Sequence, residues 1–340
     1  MSFMTRETLN QNQQAAIPFQ NLAGSTILVT GAAGLVGSAL CRALSSASQE
    51  YELHLKIIVC GRDRWALEAI PHTAILAGDV RDPALFFGIK EVNYIFHCAA
   101  ITKSAEMVSN PVDVMITAMD GTRNVLELAR RASCRSTVFL SSMEVYGQGL
   151  DGQVTEDDLG YLDLASARSS YPESKRFCEA LCHAYYAQYH VPVKIARLAQ
   201  TFGAGTPKTD TRVFAQFSRS AIAGGDIELH TDGASRGNYC ALSDTVCGLL
   251  TILLRGGGGE VYNIANPAAS ATIREMAELV ANDVAGGGIQ VVVKIPPDVE
   301  KRGYAPAAGF RLNADKLMSL GWRPQLGLAD MYRQMIAEWR

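Results

Sequence analysis

Tyr171-Pro-Glu-Ser-Lys175 sets a phenol and an ammonium four positions apart, at the head of a stretch whose apolar spacing predicts a helix to Tyr189. Residues four apart share one helix face, so the two groups can converge on one point. An unperturbed tyrosine has a pKa of about 10, too high for a base near neutrality. A nearby positive charge favours the phenolate and lowers that value. The spacing alone is common in helices, and a third residue gives it weight. Ser142 lies in Ser141-Ser142-Met143-Glu144-Val145-Tyr146-Gly147, just after a predicted strand at Thr137 to Leu140. The carboxyl ends of strands are where open α/β sheets bind ligands. The Ser142 hydroxyl can share the proton that Tyr171 removes; the plainer alternative is a serine-rich turn that satisfies its own backbone.

Positioning such a trio requires a sheet with helices around it. Thr26 to Val29 reads as a buried strand and Leu35 to Leu44 as a helix start, with Gly31, Gly34 and Gly37 between them. In a strand-turn-helix context the first glycine permits the tight turn. The second lets a pyrophosphate approach the backbone, and the third lets helix and strand pack closely. Unpaired N–H groups and the positive dipole end of the helix then face the phosphates. The spacing is Gly-x-x-Gly-x-x-Gly, which resembles the short-chain dehydrogenase/reductase superfamily. Further strands are predicted at Leu53 to Cys60, Thr73 to Ala77, Val92 to His97 and Val193 to Arg197, with a helix over Pro111 to Ala132. Strands alternating with helices predict a doubly wound parallel sheet of the Rossmann type. The second strand ends Cys60-Gly61-Arg62-Asp63. An acid there bonds the ribose hydroxyls of NAD and an arginine accommodates the extra phosphate of NADP; Arg62 comes first and Asp63 one place later, so these residues leave the preference between NAD and NADP open.

After Gly203 the alternation becomes irregular. Helices are predicted over Val213 to Ala223, Ser243 to Leu254, Thr272 to Val284, Asp315 to Leu320 and Leu328 to Trp339, and strands at Ile227 to His230, Val261 to Ile264 and Ile289 to Ile295. The expected organisation is an N-terminal extension (1–23), a dinucleotide-binding domain (24–203) and a smaller, irregular α/β substrate domain (204–340) from which some segments return to the first.

At 340 residues, 48% of them apolar, the chain can bury a large core. A net charge of −3 without a polybasic run argues against nucleic acid as a partner. Met1 to Gln20 lacks the basic-then-apolar layout of a signal peptide, and no apolar run approaches a membrane span. The eight cysteines are scattered without a Cys-x-x-Cys pair, which suits a reducing cytoplasm. Cys178, Cys182 and His183 read as the packing face of a helix, and no metal site is assigned. His97 reads as a strand-end packing residue.

Together these motifs are similar to the extended short-chain dehydrogenases/reductases, specifically the NAD-dependent nucleotide-sugar epimerase/dehydratase/decarboxylase group. Thr30 to Gly37, Ser141 to Gly147, Tyr171 to Lys175, Arg197 to Gly203 and Asn313 to Pro324 each match a landmark of that group, and the likeness covers roughly residues 24–338. The resemblance implies hydride transfer from sugar C4 to the nicotinamide, a 4-keto-sugar intermediate, and its epimerisation, dehydration or decarboxylation. It implies Tyr171 as base, Lys175 as its electrostatic support and ribose anchor, and Ser142 as hydroxyl partner. It further implies cofactor contacts at Gly31, Ala33, Gly34, Leu35, Val36 and Gly37, at Asp79 and Val80 beside the adenine, and at the small Ala99 and Ala100 beside the nicotinamide ribose. Asp79 serves equally as the start of a turn before Asp82-Pro83. A homodimer through the Pro111–Ala132 and Tyr171–Tyr189 helices is a family expectation.

The branch turns on the two residues after Ser142. Dehydratases of the group carry an Asp-Glu pair there, and here it is Met143-Glu144. Methionine cannot donate a proton, which counts against dehydration. Glu144, Arg168-Ser-Ser-Tyr171, Lys175-Arg176 and Thr209 to Val213 resemble the UDP-glucuronate decarboxylases. A 4-epimerase needs neither acid. Met143, Gln200, Arg212, Arg236 and Arg311 are the candidate substrate contacts, although Gln200 replaces a usual asparagine, Ala118 another, and Arg236-Gly237-Asn238-Tyr239 a usual Arg-Asp-Phe. An NADPH-dependent 4-keto-sugar reductase is the second enzyme reading and a non-catalytic nucleotide-binding scaffold the third. A scaffold has no need of Ser142, Tyr171 and Lys175 together.

Overall fold

The computed structural model of the chain describes residues 17–296 and 309–340. Seven strands, β1 (Thr26–Thr30), β2 (Lys56–Gly61), β3 (Thr73–Ala77), β4 (Tyr94–His97), β5 (Ser136–Ser142), β6 (Val193–Leu198) and β7 (Val261–Ile264), pair in parallel in the order β7-β6-β5-β4-β1-β2-β3. The helices are α1 (Leu35–Glu50), α2 (Arg64–Glu68), α3 (Ser104–Ser109), α4 (Pro111–Arg131), α5 (Ser170–Tyr189), α6 (Val213–Ala223), α7 (Leu242–Arg255), α8 (Ile273–Leu279), α9 (Asp315–Ser319) and α10 (Leu328–Trp339).

Strands buried on both faces carry apolar residues without alternation, and β1 and β4 do so. Ile27 and Val29 of β1 face one way, into a core shared with Leu40 and Leu44 of α1 and Leu249 and Leu250 of α7. Leu28 faces the other way, onto Val125 of α4 and Cys178 and Cys182 of α5. Those two cysteines are thus core residues, and burial pushes both thiols above their ordinary value. A separate core lies under α6, α8 and α10, where Phe202 stacks on Phe214 at 4.3 Å between ring centroids and Met276, Tyr332 and Trp339 close around them. β7 comes after Gly203 in the chain yet forms the edge of the main sheet, paired with β6.

Three local expectations change. Residues 17–23 are not an extension outside the core: Ile17, Phe19 and Leu22 are buried in it, and Phe19 stacks on Tyr51. Three apolar side chains in and beside a short 3-10 turn (Phe19–Leu22) have enough surface to be drawn in; residues 1–16 of the expected extension lie outside the described residues. The second strand starts at Lys56 rather than Leu53, because Glu52 and His54 adopt positive φ, 52° each, and turn the chain. The predicted Thr272–Val284 helix divides into α8, opened by a Thr272–Glu275 capping box, and a π-helical turn over Val280–Val284.

Candidate active site

The carboxyl ends of β1, β4 and β5 meet at one edge of the sheet. At β1, Gly31 has φ +66°, and a Cβ on it would lie 2.7 Å from the Ala99 backbone nitrogen; on Gly37 it would lie 2.4 Å from the Gly31 carbonyl. Both positions therefore require glycine if the turn, α1 and the end of β4 are to pack this closely. Ala33 and Gly34 are exposed at the lip, and Leu35 and Val36 are half-buried behind them. Gly34 caps α1 without any side-chain bond, so the first N–H groups of the helix remain for an anion. This cradle of small residues fits the pyrophosphate of a dinucleotide.

Around it, the other residues expected at the cofactor divide. Ala99 and Ala100 are half-buried after β4, with the Ala99 N–H on Thr30 Oγ1 at 3.4 Å. Arg62 is exposed at the end of β2, while Asp63 caps α2 by accepting from the Ala66 N–H. Asp79 accepts from the Arg81 backbone N–H at 2.9 Å and from its guanidinium at 2.8 and 3.0 Å. Those Arg81 hydrogen bonds hold its carboxyl below the ordinary value. Val80 is buried, its carbonyl accepting from Asn124 Nδ2 at 2.9 Å. His97 is buried between Thr30 Oγ1 (2.7 Å) and Thr122 Oγ1 (3.2 Å); burial, with Lys175 adding to it, pushes its pKa down to about 3, so the ring is neutral.

The trio itself converges. Ser142, the last residue of β5, lies close enough to Tyr171 to pull its phenol down, and its Oγ accepts from the Glu144 N–H at 3.2 Å. Lys175 Nζ donates to the Leu140 carbonyl at 2.6 Å and stands 5.8 Å from the centroid of the Tyr171 ring. The electrostatics differ from the sequence expectation. Burial, and next the Glu144 carboxylate, raise the Tyr171 phenol above its ordinary value; Ser142, Arg168 and Arg212 pull it down without prevailing. Lys175 is itself lowered by burial and is committed to the strand backbone. The ammonium four residues on does not make the phenol acidic by itself, because desolvation is the larger effect here.

Glu144 is half-buried on a short 3-10 turn (Met143–Tyr146). Arg168, on the short turn leading into α5, grips it with Nη2 at 2.9 Å from Oε1 and 2.8 Å from Oε2. Met143 is half-buried against the main core. Of the basic candidates, Arg212 stacks on the Phe214 ring, is chelated by Asp210, and acts on the Tyr171 hydroxyl. Arg236 instead points to Glu275 at 3.2 Å and to the Ser270 carbonyl at 3.2 Å. Arg311 is exposed, on a two-residue strand (Arg311–Leu312) paired with Gln153–Val154. Gln200 is exposed at the start of a short strand (Gln200–Phe202).

Glu179 carries a part of the site's frame that sequence reasoning missed. It receives Arg197 in a buried ion pair (2.7 Å) and the Ser141 hydroxyl at 2.5 Å. Arg197 continues to Tyr146 Oη and the Glu156 carbonyl. The Ser141-to-Gly147 and Arg197-to-Gly203 landmarks are thereby tied together under the Ser142 turn. A glutamate amid the apolar face of a predicted helix was the available signal.

Residues 27–265 match the model of the NAD dependent epimerase/dehydratase family. The chain belongs to that family. Its members are NAD-dependent enzymes of nucleotide-sugar chemistry: epimerases, dehydratases and decarboxylases. This family member is 31% identical over 307 residues to UDP-glucuronic acid decarboxylase 1 of Danio rerio, covering 89% of this chain and 70% of that protein. Its fold is similar to that of the dTDP-glucose 4,6-dehydratase DesIV of Streptomyces venezuelae solved with NAD, with a TM-score of 0.77, 25% identity, and 93% and 97% of the two chains covered. It is equally similar to UDP-glucose 4-epimerase of Thermotoga maritima solved with UDP-glucose, with a TM-score of 0.78, 21% identity, and 93% and 98% covered. Among the described residues no helix is long and apolar enough to cross a membrane.

Proposed function

We propose that this chain is an NAD-dependent decarboxylase of a nucleotide-activated hexuronate, working through a 4-keto sugar. The observation that carries the reading is Glu144, held by Arg168 beside Ser142 and Tyr171, with methionine at position 143 where an acid would serve a dehydration. The likeness to a UDP-glucuronic acid decarboxylase supports it.

NAD, when bound, supplies the hydride acceptor and a positive charge. Tyr171 takes the proton of the sugar C4 hydroxyl, sharing it with Ser142, and Lys175 anchors the nicotinamide ribose. A ketone at C4 is β to the C6 carboxylate, which is the arrangement that lets carbon dioxide leave. Arg212 offers a guanidinium to an anionic group of the substrate. The test is incubation of the protein and NAD with UDP-glucuronic acid, with products read by mass and NMR. Loss of carbon dioxide supports the proposal. A change of configuration at unchanged mass assigns the chain to the epimerases, which the harmlessness of Met143 in such an enzyme favours as the second reading; loss of water would make it a dehydratase. Tyr171→Phe must remove whichever turnover is found while NAD still binds.

The assembly we propose is a homodimer through α4 and α5. Val112 (72% exposed), Met115 and Ile116 lie on one face of α4, and Phe177 (46% exposed) on the adjacent α5. An apolar strip across two packed helices is the kind of surface a second copy covers. Sedimentation analysis should give twice the chain mass.

A further inference from the structure

Arg168 stands outside the Ser/Tyr/Lys trio, yet it makes one of the better-enclosed ion pairs of the site. Its side chain is 12% exposed and that of Glu144 32%. Its Nη2 is shared between both carboxylate oxygens, so the contact bears on the orientation of the carboxylate as well as on its charge. Its Nε is buried and has no partner among the described residues. A guanidinium that leaves one donor unsatisfied while its Nη2 is shared between both oxygens of one carboxylate is constrained by that contact. The residue sits three before Tyr171, on a 3-10 turn (Ala167–Ser169) that runs straight into α5, so the helix that carries the phenol also carries the clamp on the acid.

We propose that Arg168 is a positioning residue which keeps Glu144 ionised and held in one orientation beside Ser142 and Tyr171. The inference rests on the proposed decarboxylase function and adds to it the protonation state in which the acid works. The titratable group facing the pair is Tyr171 of α5, on which Arg212 at the start of α6 also acts. Burial lifts Glu144 above its ordinary value and Arg168 opposes it, so removing Arg168 should raise the carboxyl further. A protonated Glu144 also ceases to raise the phenol of Tyr171, so the two groups change together.

The test compares wild type, Arg168→Lys, Arg168→Gln, Glu144→Gln and the Arg168→Gln/Glu144→Gln double variant, each first shown to bind NAD. In Arg168→Gln the acidic limb of the pH–rate profile should move up by about one to three pH units, the range for losing an opposite charge at this distance. Below the shifted limb turnover falls about tenfold per unit. Arg168→Lys should recover part of the shift, having the charge without the planar guanidinium. On the Glu144→Gln background, Arg168→Gln should cost nothing further. The carboxyl band of Glu144, identified by its loss in Glu144→Gln, should titrate at higher pH in Arg168→Gln when followed by difference infrared spectroscopy. That band is readable without turnover, so it decides the point even if no nucleotide sugar reacts and the decarboxylase reading fails. Superimposable profiles and bands in wild type and Arg168→Gln, or equal losses at every pH that add to those of Glu144→Gln, overturn the proposal.

Discussion

Glu179 of α5 and Arg197 of β6 form a buried ion pair, Arg197 Nη2 lying 2.7 Å from Glu179 Oε2, directly beneath the turn that carries Ser142. The other oxygen of Glu179 accepts from Ser141, the residue before the candidate catalytic serine. Paired and hydrogen-bonded charges of this kind are tolerated in a core because each satisfies the other.

Removing one partner leaves a charge without compensation. Glu179→Ala should destabilise the protein by about 3–5 kcal/mol, measured by urea unfolding. Replacing both residues by Leu and Met should cost much less than that single change, since no orphaned charge is left. A double variant as unstable as the sum of the two singles would show that the pair does not act as a unit.

The glycine turn offers a cleaner separation of binding from folding. Gly37→Val places a Cβ 2.4 Å from the Gly31 carbonyl, so the turn must open and the helix end must move. NAD binding, followed by calorimetry, should fall by at least about a hundredfold, in the range expected when a ligand-cradling backbone is displaced. Gly34→Ala, whose Cβ would lie 3.2 Å from the same carbonyl, should lose less.

His97 makes stability depend on acid. Its folded pKa, about 3, is below the unfolded value near 6.5, so the unfolded chain binds the extra proton between those two limits. Stability is fully present above about pH 6.5 and is lost as the pH falls toward 3, with a slope of up to about 1.4 kcal/mol per unit. His97→Gln should flatten that part of the stability profile obtained from denaturant melts at several pH values, whatever it does to stability at pH 7.

Two of the three arginines expected at the substrate, Arg212 and Arg236, should part company. Arg236 is engaged by Glu275 and Ser270, whereas Arg212 acts on the Tyr171 hydroxyl. Arg212→Ala should lower kcat/KM for a nucleotide sugar by roughly tenfold to a hundredfold, the range for losing a charge-assisted contact. Arg236→Ala should change it by less than about threefold, because its partner is a partly exposed surface acid. The reverse ranking would place the anion of the substrate on the other side of the domain.

How far the sequence reached depended on the range of the interaction concerned. The βα corner at Gly31, Gly34 and Gly37, the helix over 213–223, the strand over 261–264 and the Tyr171–Lys175 face are all legible, because turn geometry and apolar periodicity act over a few residues. Assignment of Leu53 to a strand fails where positive φ at Glu52 and His54 turns the chain. Ile17, Phe19 and Leu22 read as outlying because nothing local says which surface apolar residues will reach.

What the residues determined by themselves, then, was the wound sheet, the cradle at its first corner and the candidate trio beside it, all consequences of short-range spacing. Tertiary structure decided the electrical state of that trio. Arg168 meets Glu144 across 24 positions of chain, Lys175 turns to a carbonyl of β5, and Arg236 leaves for Glu275. Desolvation and long-range charge depend on what lies within a few ångströms in space, and only the folded chain brings those groups together.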